Sequence, residues 1–273
     1  MTAVVDKATT LGGYLSALQH LDRIDAEVLV AHVLAVGRAY LYSHPERHLD
    51  HDELARIDSL VAERARGMPV AYLTGHKEFW SVTLQVDARV LIPRPETELL
   101  VELALERLTG STGILDLGTG SGAIALALAV ERPDCSVTAT EYDPDALSVA
   151  RDNAQRLGCD IQFLQCNWFG NVDCAFEIIL SNPPYIAATD PHLEALHCEP
   201  RNALISGVDG LDDLRVIIAA APGHLVRNGW LLVEHGWDQA ERVRKLFHEA
   251  GFGAVETHCD PGGHERATQG QLR

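Results

Sequence analysis

The stretch ILDLGTGSGAIALALA, residues 114–129, decides the fold of this chain. A short apolar run is followed by three glycines two residues apart and then by an Ala/Leu-rich segment. This order predicts a strand, a tight loop and a helix, and glycines let the loop backbone pass close to a ligand. Glu141 ends the next predicted strand about 20 residues later, where a carboxylate can accept hydrogen bonds from both hydroxyls of a ribose.

Strands and helices alternate from this glycine loop to the end of the chain. Strands are predicted at Ile114–Leu117, Val137–Glu141, Ile161–Gln165, Ile178–Ser181, Trp230–Glu234 and Ala254–His258. Helices are predicted at Ala123–Glu131, Pro144–Leu157, Ala219–Leu225 and Gln239–Glu249. Such alternation predicts a Rossmann-like α/β domain with parallel βαβ units, which bind ligands at the carboxyl ends of their strands.

The residues before the glycine loop have a different pattern. Apolar residues recur at helical spacing over residues 9–66, which predicts a small helical bundle. Near-alternating apolar residues over 76–93, including Val90–Ile92, suggest a β-hairpin, and a helix resumes at Glu96–Leu108. We therefore expect a helical domain at residues 1–72, a β-hairpin linker at 73–95 and the α/β domain at 96–273.

The glycine loop alone does not identify its cofactor. GTGSGA, residues 118–123, also satisfies the GxGxx(G/A) pattern of nicotinamide dinucleotide sites. Asp116 favours S-adenosylmethionine, because it precedes the first glycine by two residues and can orient both the loop and a methionine amino group. The loop also lies more than 110 residues into the chain, whereas dinucleotide domains often begin with it. A glycine-rich turn without a ligand is the remaining alternative.

The most specific signal is SNPPYI, residues 181–186, directly after the fourth predicted strand of the α/β domain. Tandem prolines cannot donate backbone hydrogen bonds and hold the chain extended. The Asn182 side-chain oxygen and the Pro183 carbonyl are then free to accept, and two acceptors at a fixed separation suit a planar NH2 group. A rigid turn after a buried strand is the purely structural alternative, which the glycine loop upstream disfavours.

Methyl transfer to nitrogen explains why two acceptors would hold an NH2 group in this way. Displacement at a sulfonium methyl is in line, so the attacking lone pair must point at the methyl carbon. An amide lone pair is delocalised, and holding both N–H bonds would orient the nitrogen and stabilise its developing positive charge. Tyr185 would offer a ring face to the planar target and to the sulfonium. We therefore expect Asn182, Pro183 and Tyr185 to be catalytic.

Composition and charge narrow the function further. The chain is 47% hydrophobic, has no apolar run of the roughly 20 residues that span a membrane, and shows no secretory signal, so we expect a cytoplasmic protein. Its six cysteines form no CxxC pair, and we expect no metal site. The net charge is −17 and no basic face is evident, which disfavours direct nucleic-acid binding and fits a protein or small-molecule substrate.

A resemblance to a known family covers nearly the whole chain. It rests on PVAYLTGHKEFW (69–80), VLIPRPETELLVE (90–102), ILDLGTGSGAIALALA (114–129), SNPPYI (181–186) and LLVEHG (231–236). The chain resembles the protein-(glutamine) methyltransferases of the HemK/PrmC type. This resemblance implies methyl transfer from S-adenosyl-L-methionine, with S-adenosyl-L-homocysteine as product, to the glutamine of the GGQ motif in class 1 peptide chain release factors. The helical domain would dock that protein substrate.

The resemblance also assigns site residues. It implies that the cofactor is bound by Gly118, Thr119, Gly120, Ser121, Gly122, Glu141, Trp168 and Asn182. It implies that the substrate is bound by Asn182, Pro183, Pro184, Tyr185, Arg94 and Glu96. From the residues alone, Arg94 and Glu96 also fit an ordinary helix N-terminus, and Trp168 fits a core aromatic. Asn167 and Glu141 stand where the family often has Asp, and both keep the chemistry.

Three other functions remain to be weighed. An adenine-N6 DNA or RNA methyltransferase also uses (N/D)PPY on an exocyclic NH2 group. Such an enzyme must flip a base and bind phosphates. This acidic chain has no basic domain for phosphate binding, which argues against that function. A dehydrogenase would use the glycine loop for a dinucleotide. A binding adaptor with a vestigial pocket would not need an intact glycine loop and NPPY segment.

Overall fold

The computed structural model describes residues 9–273, which divide into two units between Gly75 and His76. Residues 1–8, the start of the stretch in which we expect no secretory signal, lie outside the described residues. No helix within residues 9–273 is long and apolar enough to cross a membrane.

The described part of the first unit, residues 9–75, is helical. It contains α1 (Leu11–Ala17), α2 (Arg23–Leu34), α3 (Arg38–Ser43), α4 (His51–Ala65) and α5 (Val70–Thr74). Asp22 and Asp50 cap α2 and α4 by accepting hydrogen bonds from backbone N–H groups of the first turns. Apolar faces of the helices form one buried core that includes Leu29 and Ile57. The predicted helical bundle is confirmed.

The second unit opens with a two-stranded antiparallel hairpin, β1 (His76–Phe79) and β2 (Val82–Gln85). The Asn153 side chain accepts from the Gln85 N–H and donates to the Gln85 carbonyl, which fixes the end of the hairpin. The hairpin is therefore confirmed, but including Val90–Ile92 in it was wrong. That segment is not a strand, because the Ile92 N–H donates to the Glu199 carboxylate and not to a neighbouring strand.

A seven-stranded sheet forms the centre of the second unit. Its strands are β3 (Gly113–Leu117), β4 (Ser136–Glu141), β5 (Ile161–Gln165), β6 (Phe176–Ser181), β7 (Leu225–Glu234), β8 (Phe252–Cys259) and β9 (Glu265–Leu272). Their order is β5-β4-β3-β6-β7-β9-β8; the pairs from β5 to β7 are parallel, and β9 runs antiparallel to both of its neighbours. All six predicted strands are present, and the Rossmann-like fold is confirmed.

The strand β9 was missing from the sequence-based prediction. Its buried positions include Thr268 and Gln269, which are polar, so the strand has no apolar alternation. Thr268 shares a hydrogen bond with the buried His235 ring, and Gln269 shares one with His258. Tertiary hydrogen bonds therefore stabilise a strand that its hydropathy does not indicate.

Helices cover the sheet. They are α6 (Glu98–Arg107), α7 (Ala123–Glu131), α8 (Pro144–Leu157), α9 (Asp212–Ala220) and α10 (Ala240–Glu249). Side chains of α9 and α10 pack with Leu115, Leu117 and Ile179 in one buried core. The prediction of a helix at Ala219–Leu225 was wrong: α9 ends at Ala220, a 3-10 turn containing Pro222 follows, and Leu225 begins β7. Proline lacks the N–H that would continue the helix.

Candidate active site

A cavity of about 240 Å³ lies at the carboxyl ends of β3, β4 and β6. Its lining includes the glycine loop after β3, the residues that follow β4, and Asn182 and Pro184 after β6. Three carboxylates line it, on Glu141, Asp143 and Asp213. Arg89 also lines it but is ion-paired with Asp87. The lining is therefore suited to a cationic ligand more than to an anionic dinucleotide.

The glycine loop is built mainly from backbone contacts. The N–H groups of Gly118 and Thr119 both donate to the Thr140 carbonyl at the end of β4. Gly118 has φ +69°, and a Cβ there would lie 3.0 Å from Cζ3 of the Trp168 ring. Glycine is required at this position for both reasons, and the close approach places Trp168 against the loop at one wall of the cavity.

Two carboxylates stabilise the loop. Asp116 is fully buried; its Oδ2 accepts from the Thr119 hydroxyl and the Ala125 N–H, and burial raises its pKa to about 7. Within the described residues its Oδ1 is buried without a hydrogen-bond partner. Glu141 accepts from the Gly120 N–H at 2.9 Å and the Asp143 N–H at 3.0 Å, and burial raises its pKa. Each carboxylate oxygen keeps capacity for a further hydrogen bond.

The NPPY segment is fixed at the end of β6 by side chains from distant segments. The Asn182 Nδ2 donates to the Thr97 hydroxyl at 3.0 Å. The Tyr185 hydroxyl donates to Glu234 at 3.0 Å, and the Tyr185 carbonyl accepts from Gln239 at 2.9 Å. Asn182 lines the cavity, and because its nitrogen donates to Thr97, its side-chain oxygen is left as the acceptor of this amide.

Glu234 lies behind this segment as the last residue of β7. It is 1% exposed and accepts hydrogen bonds on both oxygens, from Tyr185 and, at 2.7 Å, from Thr97. Burial raises its pKa to about 7, and Thr97, Tyr185 and Arg266 offset part of that effect. Burial also raises the pKa of Tyr185, so this hydroxyl stays protonated and acts as a donor.

Arg94 is engaged in an ion pair within the second unit. Its guanidinium donates to the buried carboxylate of Glu199, which also accepts from the Ile92 N–H. This pair joins the segment before α6 to the segment that contributes Pro200 and Asn202 to the cavity wall. Glu96 is half-buried and close enough to Glu234 to raise its pKa. Neither Arg94 nor Glu96 lines the cavity.

The structure brings most of the sequence-predicted site residues to one cavity. Those that line it are Gly118, Thr119, Gly120, Ser121, Glu141, Trp168, Asn182 and Pro184. Gly122 is the N-cap of α7, Pro183 is buried, and Tyr185 packs against the core with its hydroxyl on Glu234. Tyr185 is not part of the cavity lining, and its ring-face contact with the substrate and the sulfonium stays a prediction.

Sequence reasoning did not single out several residues that hold this site. They are Thr97, Glu199, Glu234 and Gln239. Thr97 and Glu234 do fall in two of the segments that carry the family resemblance, IPRPETE and LLVEHG, and that was the available signal. Their partners are 49 to 137 positions away in the chain, so no local pattern links them.

The cysteines are spread over the second unit. All six lie within residues 9–273, and none of them is in a disulfide. Across that same range, no group of three or more His, Cys, Asp or Glu side chains is arranged to hold a metal ion.

Two family models match the chain: the PrmC N-terminal domain over residues 14–75 and the methyltransferase small domain over residues 95–206. The release factor glutamine methyltransferase of Xylella fastidiosa (strain Temecula1) is 48% identical over 94% of this chain and 95% of that protein. The chain belongs to the release factor glutamine methyltransferase family. The enzyme of that name from Escherichia coli K12 is 47% identical over 91% of this chain and 92% of its own length.

Membership confirms the predicted resemblance and makes the chain a methyltransferase; the adenine-N6 alternative is not favoured. Solved structures share the fold at lower identity. The E. cuniculi Mtq2-Trm112 complex, which methylates the translation termination factor eRF1, matches with TM-score 0.51 and 19% identity, over 68% of this chain and 99% of that chain. The T. thermophilus 16S rRNA N2 G1207 methyltransferase, solved with AdoMet and guanosine, matches with TM-score 0.56 and 20% identity, over 72% of this chain and 50% of that chain.

Proposed function

We propose that the chain transfers a methyl group from S-adenosyl-L-methionine to the side-chain amide nitrogen of the glutamine in the GGQ motif of class 1 peptide chain release factors. The family provides the reaction class. The observation that supports the substrate chemistry is the orientation of Asn182, whose nitrogen is held by Thr97 and whose oxygen is left to accept at the cavity. A planar amide NH2 needs such an acceptor.

The cavity fits the cofactor chemically. Glu141 supplies a carboxylate for the ribose hydroxyls, and the Trp168 ring lies against the glycine loop beside the space for an adenine. The Oδ1 of Asp116, which is buried without a hydrogen-bond partner, leaves an acceptor behind the loop. When bound, S-adenosylmethionine supplies an electrophilic methyl on a sulfonium. We propose that Gly118 to Gly122, Glu141, Trp168 and Asn182 hold it.

On the substrate side the chain's own residues act by orientation. The Asn182 oxygen and the Pro183 carbonyl would accept the two N–H bonds of the glutamine side chain, so that its lone pair points toward the cofactor side of the cavity. The same two oxygens would stabilise the positive charge that develops on the nitrogen as it accepts the methyl group. The extra proton then leaves the nitrogen to water.

Other residues would shape the site without touching the reacting atoms. Pro184 lines the cavity and limits how the glutamine can enter. Tyr185 anchors the NPPY segment through Glu234 and Gln239. Arg94 acts through its pair with Glu199 to hold the cavity wall, and Glu96 adds charge near Glu234. We propose that these residues contribute to substrate binding in this indirect way.

The helical residues 1–72 would dock the release factor, the hairpin segment 73–95 would link the parts, and residues 96–273 would carry out catalysis. A GGQ loop alone is too small to give specificity, so a second contact is needed. Residues 76–273 carry 15 basic and 29 acidic side chains, which suits a basic protein partner and not direct nucleic-acid contact. Release factors are cytoplasmic, and we propose that the chain works there, without a membrane partner.

The test is to incubate the full chain with isotope-labelled S-adenosylmethionine and a recombinant class 1 release factor, and to locate the label by mass spectrometry. We expect one labelled methyl on the GGQ glutamine, and no label on a release factor in which that glutamine is replaced by alanine. A parallel reaction with duplex DNA tests the adenine alternative. Label on DNA, or on another residue of the factor, would contradict the proposal.

A further inference from the structure

A continuous chain of hydrogen bonds connects Asn182 to a carboxylate that does not line the cavity. The Asn182 Nδ2 donates to the Thr97 hydroxyl at 3.0 Å, and the Thr97 hydroxyl donates to Glu234 at 2.7 Å. The other oxygen of Glu234 accepts from the Tyr185 hydroxyl at 3.0 Å. One carboxylate thus contacts both ends of the NPPY segment, directly at Tyr185 and through Thr97 at Asn182.

When Glu234 is ionised, the donor and acceptor roles in this series of hydrogen bonds are fixed. A carboxylate only accepts hydrogen bonds, so the Thr97 hydroxyl must give its one proton to Glu234. Thr97 then has only acceptor capacity left, and Asn182 must present its NH2 group to it. The Asn182 oxygen is forced to the other side of the amide. If Glu234 carried a proton, it could donate to Thr97, and Thr97 could in turn donate to the Asn182 oxygen with the amide turned over.

We propose that Glu234 is a positioning residue that, through Thr97, fixes which end of the Asn182 amide faces the substrate nitrogen. This inference rests on the proposed function, in which the Asn182 oxygen accepts from the glutamine NH2. A flipped Asn182 would present two N–H bonds to the two N–H bonds of the substrate and could not hold it. The Glu234 carboxylate thereby selects the productive orientation without touching substrate or cofactor.

Burial makes this selection effective. Glu234 is 1% exposed and Thr97 is 4% exposed, so water cannot easily replace either partner. Hydrogen bonds in such a low-dielectric site are strong, and a wrongly paired donor or acceptor is costly. In the turned-over state the Asn182 nitrogen would lose its partner on Thr97. The preference for one amide orientation therefore depends on two buried side chains and not on solvent.

The hydrogen bonds from Asn182 through Thr97 to Glu234 form a relay whose direction should depend on pH. The sign of that dependence follows from the charges around Glu234. Tyr185 from the NPPY segment, Glu96 from the turn before α6 and Arg266 from β9 face Glu234. Burial is the largest effect and raises the pKa of Glu234 to about 7. The carboxylate therefore gains a proton as the pH falls below neutrality, and the directional constraint on Asn182 is lost. We expect kcat to rise with pH between about 6 and about 8.

The main experiment compares Thr97→Val with Thr97→Ser in the full chain. Valine removes the hydroxyl relay at almost constant volume, whereas serine keeps it. We expect kcat to fall by about thirtyfold or more in Thr97→Val and by less than about threefold in Thr97→Ser, with the Kd for S-adenosylhomocysteine within about fivefold of wild type in both. Thr112→Val, which removes a buried hydroxyl bonded to the Gly110 carbonyl before β3, serves as the matched control.

The outcomes separate this inference from the proposed function. Equal kcat values for Thr97→Val and Thr97→Ser, with an active wild type, would overturn the relay while leaving the function intact. A wild type that does not methylate the GGQ glutamine would overturn the function itself. If Thr97→Val is unstable, its melting temperature will fall below that of Thr112→Val, and the pH experiment with Glu234→Gln then carries the test.

Glu234→Gln removes the titrating group and keeps the size of the side chain. We expect kcat to fall by about tenfold at pH near 8, because the amide turns its oxygen to Thr97 in only one of its two orientations. In the other orientation its NH2 group donates to Thr97, and Thr97 can then donate to a turned-over Asn182. The rise of kcat with pH between about 6 and about 8 should become smaller in this variant, because of the two site carboxylates with a pKa of about 7 only Asp116 still titrates. A pH profile that keeps the wild-type rise would show that Glu234 does not set the orientation by its charge.

Discussion

The two sides of the cavity are held by different kinds of contact. On the cofactor side, the loop after β3 is fixed by backbone N–H groups that donate to the Thr140 carbonyl and to the Glu141 carboxylate, within about one βαβ unit of the chain. On the substrate side, Asn182 is held by Thr97, and Thr97 by Glu234, which are 85 and 137 positions apart in sequence. One side is made by local backbone, the other by distant side chains.

This difference predicts which substitutions impair each side of the cavity. A loop built mainly from backbone contacts depends on its conformation, so it is damaged by changes in φ or by steric crowding. A relay of hydrogen bonds between single side-chain atoms loses its function when one of those atoms is removed. Substitutions on the cofactor side should therefore change the Kd for the cofactor, and substitutions on the substrate side should change kcat.

The largest effect is expected for Asn182→Ala. Removing the side-chain oxygen leaves one of the two acceptors for the glutamine NH2, so kcat should fall by about a thousandfold, close to abolished turnover. The Kd for S-adenosylmethionine should stay within about tenfold, because the glycine loop is unchanged. Single-turnover kinetics and isothermal titration measure the two quantities. A kcat close to that of the wild type would remove Asn182 from catalysis.

A smaller effect is expected for Gly118→Ala, and it should change the Kd for the cofactor more than kcat. Its φ of +69° strains any L side chain, and the added Cβ would lie 3.0 Å from the Trp168 ring. We expect the Kd for S-adenosylhomocysteine to rise by about thirtyfold, with a smaller change in kcat at saturating cofactor.

Gly158→Ala is the matched control for this substitution. Gly158 also has φ +69°, but a Cβ there would meet nothing within 4 Å. The control should lose stability through the same backbone strain and keep the wild-type cofactor Kd. If both variants bind the cofactor equally well, close packing of Trp168 on the loop does not contribute to binding.

The smallest effect is expected for Glu141→Gln. The amide keeps one acceptor oxygen of two, so it cannot satisfy Gly120 and Asp143 and also both ribose hydroxyls. The cofactor Kd should rise by about tenfold and kcat should change little. Glu177→Gln is the control, since Glu177 also accepts from a backbone N–H, that of Gly113, but at the opposite end of β3. An unchanged Kd in Glu141→Gln would exclude Glu141 from ribose binding.

The same contrast explains what could be predicted from sequence. The glycine loop, Glu141 and the NPPY segment are local patterns at the ends of strands, and their positions followed from the alternation of strands and helices. Thr97 and Glu234 are separate residues whose relation exists only in three dimensions. The polar strand β9 was missed for a similar reason, because Thr268 and Gln269 are buried by partners elsewhere in the chain.

Two further predictions from hydropathy were wrong at their boundaries. An apolar run suggested a helix through Leu225, and Pro222 ended it earlier because the ring removes a backbone donor. The hairpin was recognised, but Val90–Ile92 was included in it although Glu199, more than 100 residues later, takes the Ile92 N–H. Hydropathy indicated burial in both cases. A proline inside the apolar run ended the helix, and a distant partner decided the conformation at Ile92.

The most direct measurement is a crystal structure of the full chain with S-adenosylhomocysteine and a peptide that contains the GGQ glutamine. We predict that the glutamine nitrogen lies about 2.7–3.2 Å from both the Asn182 Oδ1 and the Pro183 carbonyl oxygen, with Asn182 Nδ2 still on Thr97. A complex in which Asn182 directs its nitrogen at the substrate, or in which both oxygens face away from the glutamine, would contradict this account.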